Sequence, residues 1–129
     1  MGFFKNMFKG SEPKEEKTLA WNALNELEQI DKIKERSKAK PQLIFKHSTR
    51  CGISRMVLNQ FIANYELEES DVDLYFLDLL SYREVSNEVG YNFQVLHASP
   101  QLLVIKDGVA VSHASHGAIN AMDMNAFKI

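Results

Sequence analysis

Apolar residues near the start of the chain recur every three or four positions: Ala20, Leu24, Leu27, Ile30 and Ile33. This spacing puts them on one stripe of a helix, and Thr18 suits the N-cap in front of it. Residues 34–41 are mainly basic and end in proline, so they are expected to close the helix. The short apolar run QLIFK at 42–46 then predicts a buried strand.

A second helix is indicated by apolar residues that follow the single cysteine: Ile53, Met56, Val57, Phe61 and Ile62. Residues 72–80, VDLYFLDLL, are rich in apolar and aromatic side chains and predict a second strand. Ser81 and Glu84 have the spacing of a capping box, which would open a third helix, and Gly90 is placed to end it.

The last third of the chain predicts a hairpin, because the apolar segments 101–106 and 109–113 flank the turn dipeptide Asp107-Gly108. A short helix over 119–127 is expected to follow. Strands separated by helices pair in parallel, so this alternation of helices and strands predicts an α/β fold. We expect a thioredoxin-like architecture, with a mixed four-stranded sheet flanked by helices on both faces.

This domain is expected to span residues 18–129. Residues 1–17 are predicted to form a mobile N-terminal arm, polar and charged after residue 9, with Pro13 blocking regular structure. The arm has neither a continuous apolar stretch nor a cleavage site of small residues, so it does not resemble a secretory signal. No apolar run approaches the roughly 18–20 residues that span a bilayer.

The composition is that of an ordinary globular protein, with 45% apolar and 25% charged residues among 129. A formal net charge of -2 gives no reason to expect nucleic-acid binding. One cysteine excludes an internal disulfide, so the expected location is the cytoplasm. Charge is segregated, however: residues 36–65 contain bases and no acid, and residues 66–78 contain acids and no base.

Cys51 lies inside the basic run, where the first predicted strand ends and the second helix begins. Free N–H groups and the helix dipole at that point stabilise a thiolate over a thiol. Nearby basic residues act in the same direction: Arg50, Arg55 and, less directly, Lys46 and His47. The alternative is a small cysteine buried in the core. The polar neighbours of Cys51 favour a thiol that is reactive at neutral pH.

Ser54 stands where a Cys-x-x-Cys protein keeps its resolving thiol. A hydroxyl cannot form a disulfide, so Cys51 can accept one half of a disulfide but cannot release it by cyclisation. A second thiol must then come from solution or from another protein. Two roles stay open for Ser54, which are a hydrogen bond to the thiolate and a cap of the helix.

The tetrapeptide CGIS at 51–54 is similar to the Cys-Gly-Phe-Ser of monothiol glutaredoxins. The segments KHSTRCGIS (46–54) and HASPQLLVIKDG (97–108) more closely resemble the bacillithiol-system redox family, the YtxJ-type monothiol bacilliredoxins, over about residues 18–125. The resemblance implies a thioredoxin fold and a cytosolic role in bacteria that make bacillithiol. It further implies removal of that small thiol from oxidised protein cysteines. Bacillithiol would be a co-substrate, with no bound cofactor, and bacillithiolated proteins would be the partners.

Carried over by position, Cys51 is the attacking nucleophile and Ser54 the partner that cannot resolve. Pro100 matches the cis-proline that faces the active site in thioredoxin folds, and Ser99 would present its backbone to a bound chain by strand addition. Gly52 departs from the family pattern, which often has proline there. The departure puts the redox potential and the substrate preference in doubt.

Bacillithiol carries carboxylates, which arginine binds through paired, charge-assisted hydrogen bonds. We therefore expect Arg50 or Arg55 to help hold the small thiol, with Thr49 as a further candidate for binding or capping.

Three other functions stay open. An iron–sulfur carrier would share a cluster between two copies through Cys51 and an external thiol. A metal site would use His113 and His116, with His97 in the same half of the chain, although separate histidines are the simpler interpretation. A non-catalytic interaction module with a thioredoxin fold would have an unreactive cysteine.

Overall fold

The computed structural model describes residues 17–127. In chain order the helices and strands are β1 (Trp21–Ala23), α1 (Glu28–Arg36), β2 (Gln42–His47), α2 (Gly52–Asn64), β3 (Asp73–Asp78), α3 (Arg83–Phe93), β4 (Gln101–Lys106) and β5 (Val109–Ser115). Two 3-10 helices follow, His116–Ala121 and Met124–Phe127. Apart from Lys17, the predicted N-terminal arm lies outside the described residues.

The strands form one sheet in the order β1-β3-β2-β4-β5. β3 pairs in parallel with both β1 and β2, whereas β4 is antiparallel to β2 and to β5. β2 is therefore the central strand, and its carboxyl end lies beside the start of β4. The chain that leaves β2 leads directly to Cys51, so the sheet order places the cysteine at this end of the sheet.

Apolar side chains cover both faces of the sheet. Ile44 of β2 belongs to a core with residues of α1 and α3, and its neighbour Phe45 belongs to a second core with residues of α2 and the first 3-10 helix. Successive residues of a strand point to opposite faces, which explains why β2 is buried along its whole length. The α/β, thioredoxin-like class predicted from the sequence is confirmed.

The predicted start of the first helix is wrong, and the sheet has five strands rather than four. Residues 21–23 form β1 at the edge of the sheet, and α1 begins only at Glu28, with Leu27 at its N-cap. Trp21 packs edge-on against Phe76 of β3, with ring centroids 5.3 Å apart. Because this pairing occurs across the sheet, tertiary contacts decide the conformation of the segment.

The predicted end of the third helix is also wrong. α3 continues past Gly90 to Phe93 and closes with Gln94 in the left-handed conformation, at φ 58°. Gly90 instead permits a close approach, because a Cβ built there would lie 3.0 Å from the carbonyl oxygen of Val95.

Two further helix predictions need correction. The capping box is not formed, because the Ser81 hydroxyl donates to Asp78 Oδ2 at 3.0 Å and α3 begins at Arg83. The expected helix over 119–127 is replaced by the two 3-10 helices.

The predicted hairpin is confirmed. Asp107 and Gly108 connect β4 to β5 with φ values of 53° and 81°, as a tight primed turn requires. Their N–H groups donate to the carbonyl and hydroxyl oxygens of Ser37 at 3.0 and 2.8 Å, which ties the turn to the end of α1.

Candidate active site

Cys51 occupies the N-cap position of α2 in an extended backbone conformation, and its side chain is partly exposed. Its N–H donates to the carbonyl oxygen of Ser48 at 3.2 Å, and its own carbonyl accepts the Arg55 N–H at 3.1 Å. The first turn of α2 contains no acidic residue. The sulfur therefore lies, as predicted, at the positive end of a helix.

Ser54 is fully buried in the first turn of α2. Its Oγ lies 2.8 Å from His47 Nδ1 and accepts the Ser48 N–H at 3.1 Å. α2 has no hydrogen bond from a capping side chain. Neither role left open by the sequence is seen, because the hydroxyl links the first turn of α2 to the end of β2.

His47, the last residue of β2, has only 6% of its surface exposed and packs against the Phe76 ring, with centroids 5.5 Å apart. Burial lowers the pKa of His47, while Asp78 of β3 acts to raise it and Arg55 of α2 to lower it. His47 is thus predominantly neutral at pH 7. It does not supply the positive charge that the sequence suggested.

Lys46 points to the opposite face of the sheet and is fully buried. Its Nζ donates to the carbonyl oxygen of Ser86 in α3 at 3.1 Å and lies 3.5 Å from His97 Nδ1. Burial lowers the pKa of Lys46 to about 8. Lys46 therefore lies on the face of the sheet that packs against α3, rather than beside the thiol. The sequence did not indicate this placement.

The Ser99–Pro100 peptide bond is cis, as the resemblance implied. β4 begins immediately after it and pairs Gln101 with Lys46, so the proline lies level with His47 at the end of the sheet that carries Cys51. The hydroxyl oxygen of Ser99 is buried and has no hydrogen-bond partner among residues 17–127.

Arg50 and Arg55 are exposed, and neither forms a salt bridge within residues 17–127. Arg55 Nη2 donates to the carbonyl oxygen of Thr49 at 3.3 Å, so Thr49 contributes its backbone to the arginine. The other end of the basic run behaves differently, because it pairs with the acidic run through Asp73. Unpaired positive charge is thus left around the cysteine.

The surface beside the thiol is partly apolar. Ile53 and Met56, which the apolar pattern assigned to the packed stripe of α2, are 56% and 54% exposed. Gly52 at the first position of α2 is exposed, and a Cβ there would meet no atom within 4 Å. The proline common in the family pattern would therefore meet no steric obstacle at its Cβ.

The thiol is partly exposed at this surface. A cavity of about 440 Å³ lies elsewhere, between Leu19, Leu67 and Val72. Within residues 17–127, no group of three or more His, Cys, Asp or Glu side chains is placed to hold a metal ion. The same part of the chain contains no helix long and apolar enough to cross a membrane.

A thioredoxin fold with its single cysteine at the N-cap of α2 and a cis-proline at the same end defines a thiol-based redox protein of the monothiol class. The family model described as monothiol bacilliredoxin BrxC matches residues 22–124. The chain therefore belongs to the monothiol bacilliredoxin family.

Solved structures agree with the thioredoxin fold. One solved protein with a thioredoxin fold is 30% identical to this chain, with a TM-score of 0.67, over 81% of this chain and 89% of that one. Thioredoxin from Malassezia sympodialis is 18% identical, with a TM-score of 0.65, over 84% of this chain and 88% of the thioredoxin. Thioredoxin O2 from Arabidopsis thaliana is 17% identical, with a TM-score of 0.62, over 84% of this chain and 96% of the thioredoxin. The two thioredoxins support the fold alone.

Proposed function

We propose that this protein removes bacillithiol from mixed disulfides on cytosolic protein cysteines by monothiol exchange. One observation carries the proposal: the only cysteine of the chain begins α2 at the cis-proline end of the sheet, with a buried serine where a resolving thiol would stand. Membership of the monothiol bacilliredoxin family supports bacillithiol as the small thiol.

The reaction proceeds in two exchanges. The Cys51 thiolate attacks the bacillithiol sulfur of a protein–bacillithiol disulfide, the old S–S bond breaks, and the protein thiolate leaves and takes a proton from water. Ser54 cannot displace the new adduct, so a thiolate from solution attacks its bacillithiol sulfur. The products are a bacillithiol-containing disulfide and the restored Cys51 thiolate.

Charge at the start of α2 favours the attacking thiolate. Cys51 is at the N-cap of the 13-residue α2, whose dipole places partial positive charge at this end, and the first turn contains no acidic residue to oppose it. Arg55 adds a positive charge four residues later. Partial exposure of Cys51 leaves the sulfur accessible to a disulfide on another protein.

Recognition would use both the charged and the apolar parts of this surface. Arg50 and Arg55 are available for the carboxylates of bacillithiol, since neither is held in a salt bridge within residues 17–127. Ile53 and Met56 would contact apolar residues of the substrate protein around its cysteine. The backbone of Ser99 would pair with that extended segment by strand addition.

The test is intact-mass spectrometry after mixing the reduced protein with a bacillithiolated substrate protein. We expect the mass of one bacillithiol to move to the wild type and not to Cys51→Ser, with the substrate freed. A glutathionylated substrate run in parallel measures the preference for the small thiol. No adduct, together with slow alkylation of Cys51 by iodoacetamide at neutral pH, would instead favour the interaction module.

A Ser54→Cys variant tests the monothiol step separately. Its second thiol would stand at Cys-x-x-Cys spacing, so the variant should release bacillithiol and gain an internal disulfide, seen as a loss of about two mass units. The wild type should keep its adduct until a second thiol is added. A wild-type adduct that disappears without added thiol would contradict the proposed role of Ser54.

A further inference from the structure

The imidazole of His47 belongs to a continuous chain of hydrogen bonds that ends at the cysteine. His47 Nδ1 contacts Ser54 Oγ at 2.8 Å, and this oxygen accepts the Ser48 N–H at 3.1 Å. The Ser48 carbonyl oxygen in turn accepts the Cys51 N–H at 3.2 Å. Ser48 is thus held at both of its backbone polar groups, one by Ser54 and the other by Cys51.

The donors and acceptors in this chain can be assigned. Within residues 17–127, Ser54 Oγ has hydrogen-bond contacts only with the Ser48 N–H, which donates to it, and with His47 Nδ1, so we assign the hydroxyl proton to the bond with Nδ1. Nδ1 must then carry its lone pair, with the ring proton on Nε2. This arrangement requires a neutral imidazole, which agrees with the lowering of the His47 pKa by burial.

The hydrogen bonds from His47 through Ser54 to Ser48 lie in the interior of the protein. Ser54 is fully buried and His47 nearly so, which leaves water little access to replace a lost partner. Without an acceptor at position 47, the hydroxyl would turn to a carbonyl oxygen one turn earlier in the chain, as serine in helices commonly does. Ser48 would then lose the acceptor of its N–H, and the turn that carries Cys51 would be less restrained.

We propose that His47 is a positioning residue, which holds the Cys51 turn through Ser54 and so orients the thiolate for attack on a disulfide. The inference rests on the proposed function, because it concerns the same exchange reaction. Attack on a disulfide requires the incoming sulfur to approach along the S–S bond, so the rate depends on orientation. Alkylation by the small reagent iodoacetamide depends mainly on the amount of thiolate and should change less.

The experiment compares two substitutions at position 47. In His47→Asn, the amide oxygen can take the place of Nδ1 as acceptor, whereas His47→Leu removes the acceptor. We expect His47→Leu and Ser54→Ala to slow exchange with a bacillithiolated protein about tenfold. His47→Asn should stay within about threefold of wild type. His113→Leu, at an exposed histidine of β5, is the matched control and should match wild type.

A double variant shows whether His47 acts through Ser54. If it does, His47→Leu combined with Ser54→Ala should be no slower than Ser54→Ala alone, because the second change removes nothing further. Exchange by His47→Leu at the wild-type rate would overturn the inference, and so would additive losses in the double variant. If His47→Leu does not fold, Ser54→Ala exchanging at the wild-type rate would equally overturn it.

The proposed function fails in a different way. A wild-type protein without exchange activity would refute monothiol exchange and, with it, this inference. Active wild type with no effect at positions 47 and 54 would refute only the positioning role. Melting curves of each variant ensure that rates are compared for folded protein.

Discussion

Replacing Lys46 by methionine should make the folded protein more stable at neutral pH. Lys46 is fully buried between β2 and α3, and no carboxylate within residues 17–127 lies in salt-bridge distance of it. A buried ammonium without a counter-ion carries a desolvation cost that a hydrogen bond to one carbonyl oxygen does not offset. Methionine has a similar length and no charge.

The size of the cost follows from the pKa of Lys46. Burial lowers it from 10.5 to about 8, and that difference of about 2.5 corresponds to about 3 kcal/mol in the free energy of unfolding. Methionine also loses the bond from Nζ to the Ser86 carbonyl oxygen, worth about 1 kcal/mol. The expected net gain at pH 7 is about 2 kcal/mol.

The gain should depend on pH in a defined direction. Below pH 8 the lysine is charged in both states, and the folded wild type bears the full cost. Between about pH 8 and pH 10.5 the unfolded chain binds more protons than the folded one, so the stability contributed by Lys46 rises with pH. Near pH 10 the advantage of methionine should therefore have disappeared.

Urea unfolding of wild type and Lys46→Met at pH 7 and pH 10 measures both effects. Lys106→Met is the matched control, because Lys106 is exposed at the end of β4 and its replacement should change little at either pH. The reasoning is refuted if Lys46→Met is less stable than wild type at pH 7, where the folded lysine is charged. That result would mean that the ammonium stabilises the fold.

Three other substitutions test separate parts of the structure by urea unfolding. Burial raises the pKa of Asp73, but hydrogen bonds from Gln42 and two cations outweigh it and lower the pKa. Asp73→Asn should lower the free energy of unfolding by about 1–2 kcal/mol at pH 7, because the carboxylate loses its partners. This difference from wild type should shrink below pH 3.8, where Asp73 of the wild type becomes protonated, and a difference that stays constant would contradict this account. Gln94→Gly should stabilise by about 1 kcal/mol because φ is 58°, and an unchanged midpoint would contradict it. Gly52→Pro should add about 0.5–1 kcal/mol at the first position of α2, whereas a loss would show that the Gly52 N–H is needed.

The sequence predicted the central part of the fold well and its edge badly. β2 and β3 have dense apolar runs, α2 has apolar residues at helical spacing, and the hairpin has a turn dipeptide with positive φ. β1 has only three residues and exists because Trp21–Ala23 pairs with β3. The apolar spacing that predicted a helix there joins residues from different parts of the structure, since Ala20 precedes β1, Leu24 lies in the link to α1, and only Ile30 and Ile33 belong to α1.

The site was predictable as far as it depends on chain order. Cys51 had to follow a strand and precede a helix, and the resemblance located Pro100. The partner of Ser54 was not predictable, because it depends on which side of α2 faces β2. The exposure of Ile53 follows from the same rotation of the helix, which apolar spacing alone left undetermined.

Buried polar residues are concentrated at the cysteine end of the sheet. Seven polar or charged residues are buried in the described chain, and five of them belong to this end: Lys46, His47, Ser54, Ser86 and Gln101. Apolar residues would generally fill such positions at lower cost, as the expected gain from Lys46→Met illustrates. Departures from apolar packing are expected at functional sites, where polar side chains hold reactive groups in position even though they make the fold less stable. Position 54 shows the reason, because a methyl group there would fill the space and leave the Ser48 N–H without its acceptor.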